Sequence, residues 1–220
     1  MHWRQQSAAR WIAKCLVGRD IWEFKVDDVP EPLATIEYKR VSEDRVHFHP
    51  LGVISLALPA EWKKSVEDDM SVFYREAAGG GTFRVVCRHY SKEAAEPTDA
   101  LEMTESVARR IAGNAEVSLG ATADGYPIAA FEVCVVEDNQ DITMANWVVC
   151  RLRSETELQL NLYTYSVLST VANSWATCEE RSTVDAAVRG AEYWDKDPTA
   201  KSHATPPAKP GLLKRLFGRR

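Results

Sequence analysis

Apolar and polar residues along the chain fall into short runs that end at turn residues, a pattern typical of antiparallel β-strands. The clearest run covers 53–62 and reads VISLALPAEW, an apolar strand that ends in a corner of the form Leu-Pro-x-x-Trp. Residues 63–69 then predict an acidic loop. After it, the β-branched and aromatic residues of Met70–Arg75 and Thr82–Tyr90 predict a hairpin that turns at Gly79–Gly81.

Three further strand-like runs lie in the second half of the chain. They span Tyr126–Val136, Thr143–Arg153 and Glu157–Val167, and the short polar links between them require antiparallel pairing. In the last run, leucines alternate with polar or aromatic residues, so we expect one packed face and one face that is partly wet. The packed face is predicted to hold Leu158, Leu160 and Leu162, and the wetter face Gln159, Asn161 and Tyr163.

Two amphipathic helices are predicted between and after these strands. Asp99, with Glu102 three residues later, provides an N-cap for the first helix, which stops at Gly113. Its apolar stripe is predicted to consist of Leu101, Thr104, Val107, Ala108 and Ile111. The second helix is predicted to start at the capping-box sequence of residues 177–180 and to carry an apolar stripe as far as Trp194.

The two ends of the chain predict additional segments. Residues 4–17 have the spacing of a basic amphipathic helix, Trp22–Val26 alternates like a strand, and Ile36–Val41 with Arg45–His49 suggests a hairpin. Near the other end, a segment rich in Pro, Ala and Lys predicts a disordered linker before a basic decamer. We therefore divide the chain into an N-terminal extension (1–52), a main domain (53–194), a linker (195–210) and a basic amphipathic tail (211–220).

Composition and charge narrow the class of protein. The chain has 220 residues, of which 45% are hydrophobic and 27% charged, enough for one globular domain with additions. The net charge is −5, and residues 198–220 contain six basic residues and no acid, so the remainder carries −11. An acidic body argues against nucleic-acid binding and favours a basic partner. The absence of an apolar leader or a long apolar segment predicts a cytoplasmic protein.

The order of elements resembles the PsbP-like superfamily. The resemblance covers about residues 53–194 and rests on the corner Leu58-Pro59-Ala60-Glu61-Trp62, the aromatic strand with Trp147, and the series of strand, hairpin, helix, three-strand meander and closing helix. It implies an α+β fold, an antiparallel β-sheet flanked by helices in an α/β/α sandwich. This superfamily includes Ran-binding relatives of yeast and bacterial DcrB-like domains. It has no common catalytic residues, and its better understood members mostly bind other proteins.

Candidate catalytic and metal-binding groups are few. His47 and His49 lie two apart in a predicted strand, and Cys87 with His89 repeats that spacing, so each pair shares one face of its strand. Brought together, the two pairs could form a metal site or a nucleophile with its base. Chance pairs of surface histidines and a buried thiol are the simpler interpretation. Five cysteines without any CxxC spacing predict reduced, mostly buried thiols, and we expect no cofactor.

The function predicted from the sequence is a non-catalytic protein-binding module of a bacterial adaptor, a chaperone of type VI secretion effectors, or a toxin-neutralising protein. The resemblance implies this role with an apolar helix as client, and the acidic body favours a basic client. The alternative is a small-ligand-binding or hydrolytic enzyme with a groove lined by His47, His49 or His89. We expect weak membrane contact only from the tail. The predicted partner-binding residues are Trp62, Glu67, Asp68, Asp69, Trp147, Tyr163, Tyr165, Leu213, Lys214, Arg215 and Phe217.

Overall fold

A computed structural model of the chain describes residues 38–42, 45–48, 54–67, 70–76, 80–91 and 99–193. The helix predicted at 4–17, the strand Trp22–Val26, the linker and the tail lie outside these residues. In the described part, two sheets hold eleven strands, and all their pairings are antiparallel.

The larger sheet has seven strands in the order β4-β5-β6-β10-β9-β8-β7. Its strands, in chain order, are β4 (Lys63–Glu67), β5 (Met70–Tyr74), β6 (Thr82–Ser91), β7 (Val117–Ala121), β8 (Pro127–Glu137), β9 (Gln140–Leu152) and β10 (Glu157–Leu168). The smaller sheet has the order β1-β2-β3-β11, built from β1 (Tyr38–Ser42), β2 (Arg45–Phe48), β3 (Ile54–Pro59) and β11 (Glu192–Tyr193). Strand β2, from the predicted N-terminal extension, therefore pairs with the first strand of the predicted main domain.

Local sequence signals predicted several elements correctly. The hairpin of β1 and β2 forms, and the run of 53–62 becomes β3 followed by a tight corner in which the Trp62 backbone N–H donates to the Pro59 carbonyl at 3.1 Å. The predicted three-strand meander is β8, β9 and β10. Its first turn is tighter than expected, because Asp138 and Asn139 both adopt positive φ in a two-residue hairpin loop.

Two strands at the edges of the larger sheet differ from the prediction. Residues Lys63–Glu67, predicted as part of an acidic loop, form β4 and pair with β5. Residues Val117–Ala121, for which no element was predicted, form β7 and pair with β8. Both are five-residue edge strands, and each pairs with a neighbour on one side only. Pairing with that neighbour keeps charged or small residues extended, although their sequence alone does not predict a strand.

The first helix, α1 (Ala100–Ala112), has the predicted caps. The Asp99 carboxylate accepts from the backbone N–H groups of Leu101 at 2.7 Å and Glu102 at 3.4 Å, and Gly113 ends the helix with a φ of 61°. Thr104, Ala108 and Ile111 face the sheet as predicted. Leu101 does not, because it lies in the first turn outside the packed stripe and is 46% exposed.

The second helix, α2 (Trp175–Arg189), begins earlier than predicted. Its N-cap is Ser174, whose hydroxyl accepts from the Thr177 backbone N–H at 3.2 Å, so the predicted capping box at 177–180 is wrong. The shift of three residues places Thr177 and Glu180 inside the helix, where both are buried. Trp175 occupies the first turn and is 78% exposed, and Trp194, the end of the predicted apolar stripe, lies outside the described residues.

The larger sheet separates two hydrophobic cores. On its α2 face, aromatic side chains such as Phe83, Tyr163 and Trp147 pack with α2 and with β3. On its α1 face, Leu160, Val148 and Phe131 pack with α1. Because both faces are covered, the prediction of a wetter face on β10 is wrong: Gln159, Asn161 and Tyr163 are all fully buried. The predicted fold class, an α+β fold with an antiparallel sheet between helices, is confirmed.

The α1 core yields a direct test of this layering. Leu160 is 5% exposed and faces α1, so Leu160→Ala is expected to lower the free energy of unfolding by about 2–5 kcal/mol through lost burial and a cavity. Urea unfolding followed by circular dichroism measures this change. Leu101→Ala, at an exposed position of α1, is the matched control and should cost under about 1 kcal/mol. Equal losses in the two variants would contradict the packing described here.

Candidate functional site

The most concentrated polar centre of the α2 face surrounds the carboxylate of Glu180. Glu180 lies on α2 and is 6% exposed. Its Oε2 atom accepts from the hydroxyl of Tyr165 at 2.5 Å and from the backbone N–H of Gly81 at 2.8 Å. Its Oε1 atom lies 2.6 Å from Nε of Arg75, an ion pair without the alignment of a hydrogen bond. The side chain of Glu180 therefore joins α2 to β10 and to both ends of the β5–β6 hairpin loop.

Gly81 is required at this centre for steric reasons. A Cβ atom built on Gly81 would overlap the phenol ring of Tyr165, which is buried and held by Glu180. The predicted glycine turn is thus more than a flexible loop, because its last residue brings the backbone against an aromatic ring. Burial, followed by the bond to Glu180 and the nearby negative charge, raises the pKa of Tyr165 far above its usual value, so this phenol stays protonated and donates.

A second polar contact fixes α2 further along the helix. The indole Nε1–H of Trp147, on β9, donates to Oδ1 of Asp185 at 2.7 Å. The same carboxylate receives Nε of Arg189 one turn later, at 2.9–3.0 Å. Because Trp147 is 4% exposed, its only polar atom needs such a partner in the core.

The predicted pair Cys87 and His89 lies on the α2 face of β6, with the thiol Sγ 3.7 Å from the imidazole Nε2. Burial raises the pKa of the Cys87 thiol to about 12. Burial and the positive charge of Arg153, whose Nη1 lies 3.3 Å from Nδ1 of His89, lower the pKa of His89. Both shifts favour the neutral forms, so the pair does not provide the thiolate and imidazolium of an activated cysteine.

Polar side chains continue from this pair across β10 to β9. The Gln159 amide donates to Oδ1 of Asn161 at 3.0 Å, and Arg151 donates to the Gln159 carbonyl oxygen at 3.4 Å. The Arg151 guanidinium also lies over the ring of Tyr126, 5.2 Å from its centroid. Burial and a neighbouring phenol raise the pKa of Tyr163, whose hydroxyl lies 2.9 Å from that of Tyr193. These polar groups contact one another inside the fold.

Of the other two predicted histidines, one lies on a strand of the smaller sheet and one lies outside the described residues. His47 lies on β2 opposite Tyr38 and Ala57 in the register of the smaller sheet, and His49 lies outside the described residues. Within the described ranges, no group of three or more His, Cys, Asp or Glu side chains could hold a metal ion. Two of the described cysteines, Cys134 and Cys178, are exposed, contrary to the expectation that most thiols are buried.

The predicted partner-binding residues fall into three groups. Trp62, Trp147, Tyr163 and Tyr165 lie in the core, between 0% and 4% exposed, and none of them forms part of the surface. Their large aromatic side chains pack in the core instead of forming a binding surface. Glu67 ends the edge strand β4 and is partly exposed. Asp68, Asp69, Leu213, Lys214, Arg215 and Phe217 lie outside the described residues.

The surface carries two features that the sequence did not indicate. Trp175 exposes 78% of its area at the start of α2, an unusual position for so large an apolar side chain. Strand β7 is exposed along the end of the larger sheet and contains no charged residue, whereas the opposite edge strand, β4, contains Lys63, Lys64 and Glu67. In the described part of the chain, no helix has the length and apolar character needed to cross a membrane.

Comparison with known proteins finds distant structural likeness. No model of a protein family and no curated protein matches the chain. It is similar to LpqN of Mycobacterium tuberculosis, involved in cell envelope biogenesis, at 10% identity, 72% coverage of this chain, 89% of that chain and a TM-score of 0.48. The Ran-binding protein Mog1p of Saccharomyces cerevisiae gives 12% identity, coverages of 69% and 96%, and a TM-score of 0.43.

A protein of Bacteroides thetaiotaomicron gives 15% identity, coverages of 64% of this chain and 44% of that chain, and a TM-score of 0.41. Membership of the PsbP-like superfamily, and of the DcrB-like group within it, stays a prediction. At identities of 10–15%, these likenesses do not assign the chain to a family.

The close approach at Gly81 predicts a stability loss. Gly81→Ala is expected to reduce the free energy of unfolding by about 1–3 kcal/mol, because the buried Tyr165 ring must move and its bond to Glu180 must lengthen. Chemical denaturation measures the loss. Gly120→Ala, where the nearest atom belongs to the partly exposed side chain of Arg189, is the control and should cost less. If Gly81→Ala left stability unchanged, the geometry around Glu180 would be incorrect.

The raised thiol pKa predicts slow modification of Cys87. With a pKa of about 12, only about 10⁻⁴ of the Cys87 thiol is ionised at pH 8, and burial also limits access. Iodoacetamide at pH 8 should therefore alkylate the exposed Cys134 and Cys178 at least about a hundredfold faster than Cys87. Peptide mass spectrometry over time resolves the sites. Cys150, also buried with its pKa raised to about 12, should behave like Cys87. Rapid labelling of Cys87 in the folded protein would instead indicate a reactive thiol.

Proposed function

We propose that the protein is a non-catalytic protein-binding module that recognises its partner through a surface centred on Trp175. The observation that carries this proposal is the 78% exposure of Trp175 at the first turn of α2. An exposed tryptophan gains a large area of apolar contact when a partner covers it, and tryptophan is over-represented among residues that dominate binding energy.

The contacts of α2 support this proposal, because they make the surface rigid. The helix is held to the sheet through Glu180 and Asp185, and its first turn is capped by Ser174. A tryptophan on a fixed helix loses little conformational entropy on binding, so more of its contact energy contributes to affinity. Adaptor, secretion-effector chaperone and toxin-neutralising roles are the finer forms of this proposal. Its clients would be basic, since the chain without residues 198–220 carries −11.

The interior chemistry favours binding over catalysis. Cys87 is held as a neutral thiol, His89 as a neutral imidazole beside Arg153, and the buried carboxylate of Glu180 is occupied by two hydrogen-bond donors and the Arg75 guanidinium. A hydrolytic site would need a nucleophile, a base and an oxyanion-binding group that converge on open space. The alternative of an enzyme at His89 therefore has less support than the binding module.

The test is partner capture with three baits. Immobilised wild-type protein, Trp175→Ser and Leu101→Ser are incubated with lysate of the source organism, and bound proteins are quantified by mass spectrometry. Leu101 is the matched control, because it is also an exposed apolar residue in the first turn of a helix but lies on α1, on the other face of the sheet. Truncating a tryptophan at the centre of an interface is expected to weaken binding by about 2 kcal/mol or more, roughly thirtyfold.

Loss of a specific protein with Trp175→Ser, and its retention with Leu101→Ser, is the expected result. A further bait that lacks residues 198–220 tests the predicted contribution of the tail, whose contact should weaken with salt because it is basic. Capture that is the same for all baits, or no capture above an unrelated acidic control protein, would refute the proposed surface.

A further inference from the structure

The β7 edge of the larger sheet lacks the usual protection against strand pairing. Natural edge strands carry charges, proline or bulges that prevent another strand from adding to them. The sequence of β7, VSLGA, has none of these, and Leu119 exposes 46% of its area. In the described structure, β7 pairs with β8 and has no strand on its other side. The opposite edge strand, β4, is protected by Lys63, Lys64 and Glu67.

The hydrogen-bond register identifies which backbone groups of β7 point outward. Thr122 donates its backbone N–H to the Tyr126 carbonyl at 2.9 Å, just beyond the paired strands. Since antiparallel pairs alternate, Gly120 and Ser118 also direct their backbone groups towards β8. The backbone groups of Val117, Leu119 and Ala121 therefore point away from the sheet. The same three side chains lie towards α1, the side on which Val117 contacts the core.

We propose that β7 pairs antiparallel with β7 of a second copy, about a two-fold axis at Leu119, so that one continuous sheet runs through both protomers. A two-fold interface must be complementary to itself. Centring the axis on Leu119 pairs all five residues of β7 and joins the outward backbone groups of both strands. Leu119 then faces Leu119 of the partner, and Val117 faces Ala121 of the partner. No like charges oppose one another along the strand.

Charges at the end of the strand complement this register. Arg189 lies in the last turn of α2, and its guanidinium covers Gly120 of β7. Its Nη1 atom would be 3.2 Å from a Cβ atom built on that glycine. Its Nε is bound to Asp185, and within the described residues Nη1 has no carboxylate partner. In the proposed register, the exposed Glu116 lies diagonal to Gly120 of the second copy, about 7–8 Å between backbones and within reach of that guanidinium. The two-fold axis creates this pair twice.

Charge pairing on the two-fold axis tests the proposal. The full-length chain is examined by sedimentation equilibrium from about 1 to 500 µM, beside Leu119→Lys and Leu119→Glu, with circular dichroism to confirm that each variant is folded. Each variant alone places two like charges directly opposite and should raise the dimer Kd by about tenfold or more. An equimolar mixture of the two should restore dimers, because lysine then faces glutamate.

Two further variants make the result specific. Val66→Lys adds the same charge at the other edge of the sheet, where Val66 is 52% exposed, and should leave the dimer unchanged. Glu116→Arg should weaken the dimer, since it opposes Arg189 of the second copy. A wild-type chain that stays monomeric throughout the range overturns the proposal. So does a dimer that Leu119→Lys leaves intact or that Val66→Lys disrupts equally. None of these outcomes affects the role proposed for Trp175, which lies at the opposite end of α2.

Discussion

The buried carboxylate of Glu180 is the interaction on which the arrangement of α2 and the larger sheet depends. An ionised carboxylate in an apolar core is costly unless several donors compensate for lost hydration. Tyr165, Gly81 and Arg75 supply a hydroxyl, a backbone amide and a positive charge from different parts of the sheet. Removing any one of these groups leaves the buried carboxylate less well compensated, so the helix, β10 and the β5–β6 hairpin are coupled at one point. Arg75 also approaches Glu61 at 3.7 Å, which extends the coupling to the corner after β3.

Fixing α2 in this way determines what the surface presents at each end of the helix. The first turn holds the exposed Trp175, and the last turn holds Arg189 against Gly120 of β7. Between them, Glu180 and Asp185 are anchored to the sheet. The partner surface proposed for Trp175 and the charged end of the β7 edge are therefore both consequences of one helix position. A rotation of α2 would break the buried contacts of Glu180 and Asp185, so neither Trp175 nor Arg189 can move without them.

Sequence reasoning succeeded where structure is determined locally. The corner at Pro59–Trp62 and the caps at Asp99 and Gly113 depend on neighbours within four residues. It failed for the edge strands β4 and β7, whose own residues lack a strand pattern and which form by pairing with the next strands, β5 and β8. It also failed where distant segments meet, because Gln159 is buried only once the second face of the sheet is covered. Glu180 was assigned to a capping box, yet its partner Gly81 lies 99 residues away. Four aromatic residues of the predicted binding surface are buried, because aromatic residues in strands indicate burial as readily as binding.

The two edge strands of the larger sheet differ in how well they are protected against pairing with another strand. Lysines and a glutamate protect β4, while β7 remains uncharged although it lies beside a charged helix end. An unprotected edge is a liability in a monomer unless something pairs with it. Trp175 lies 14 residues before Arg189 on α2, about 21 Å along the helix axis, so pairing at β7 would leave the tryptophan uncovered. A β7-paired dimer would then present two Trp175 surfaces related by symmetry, and a client with two binding segments would be held more tightly than by one surface, because its second contact is intramolecular.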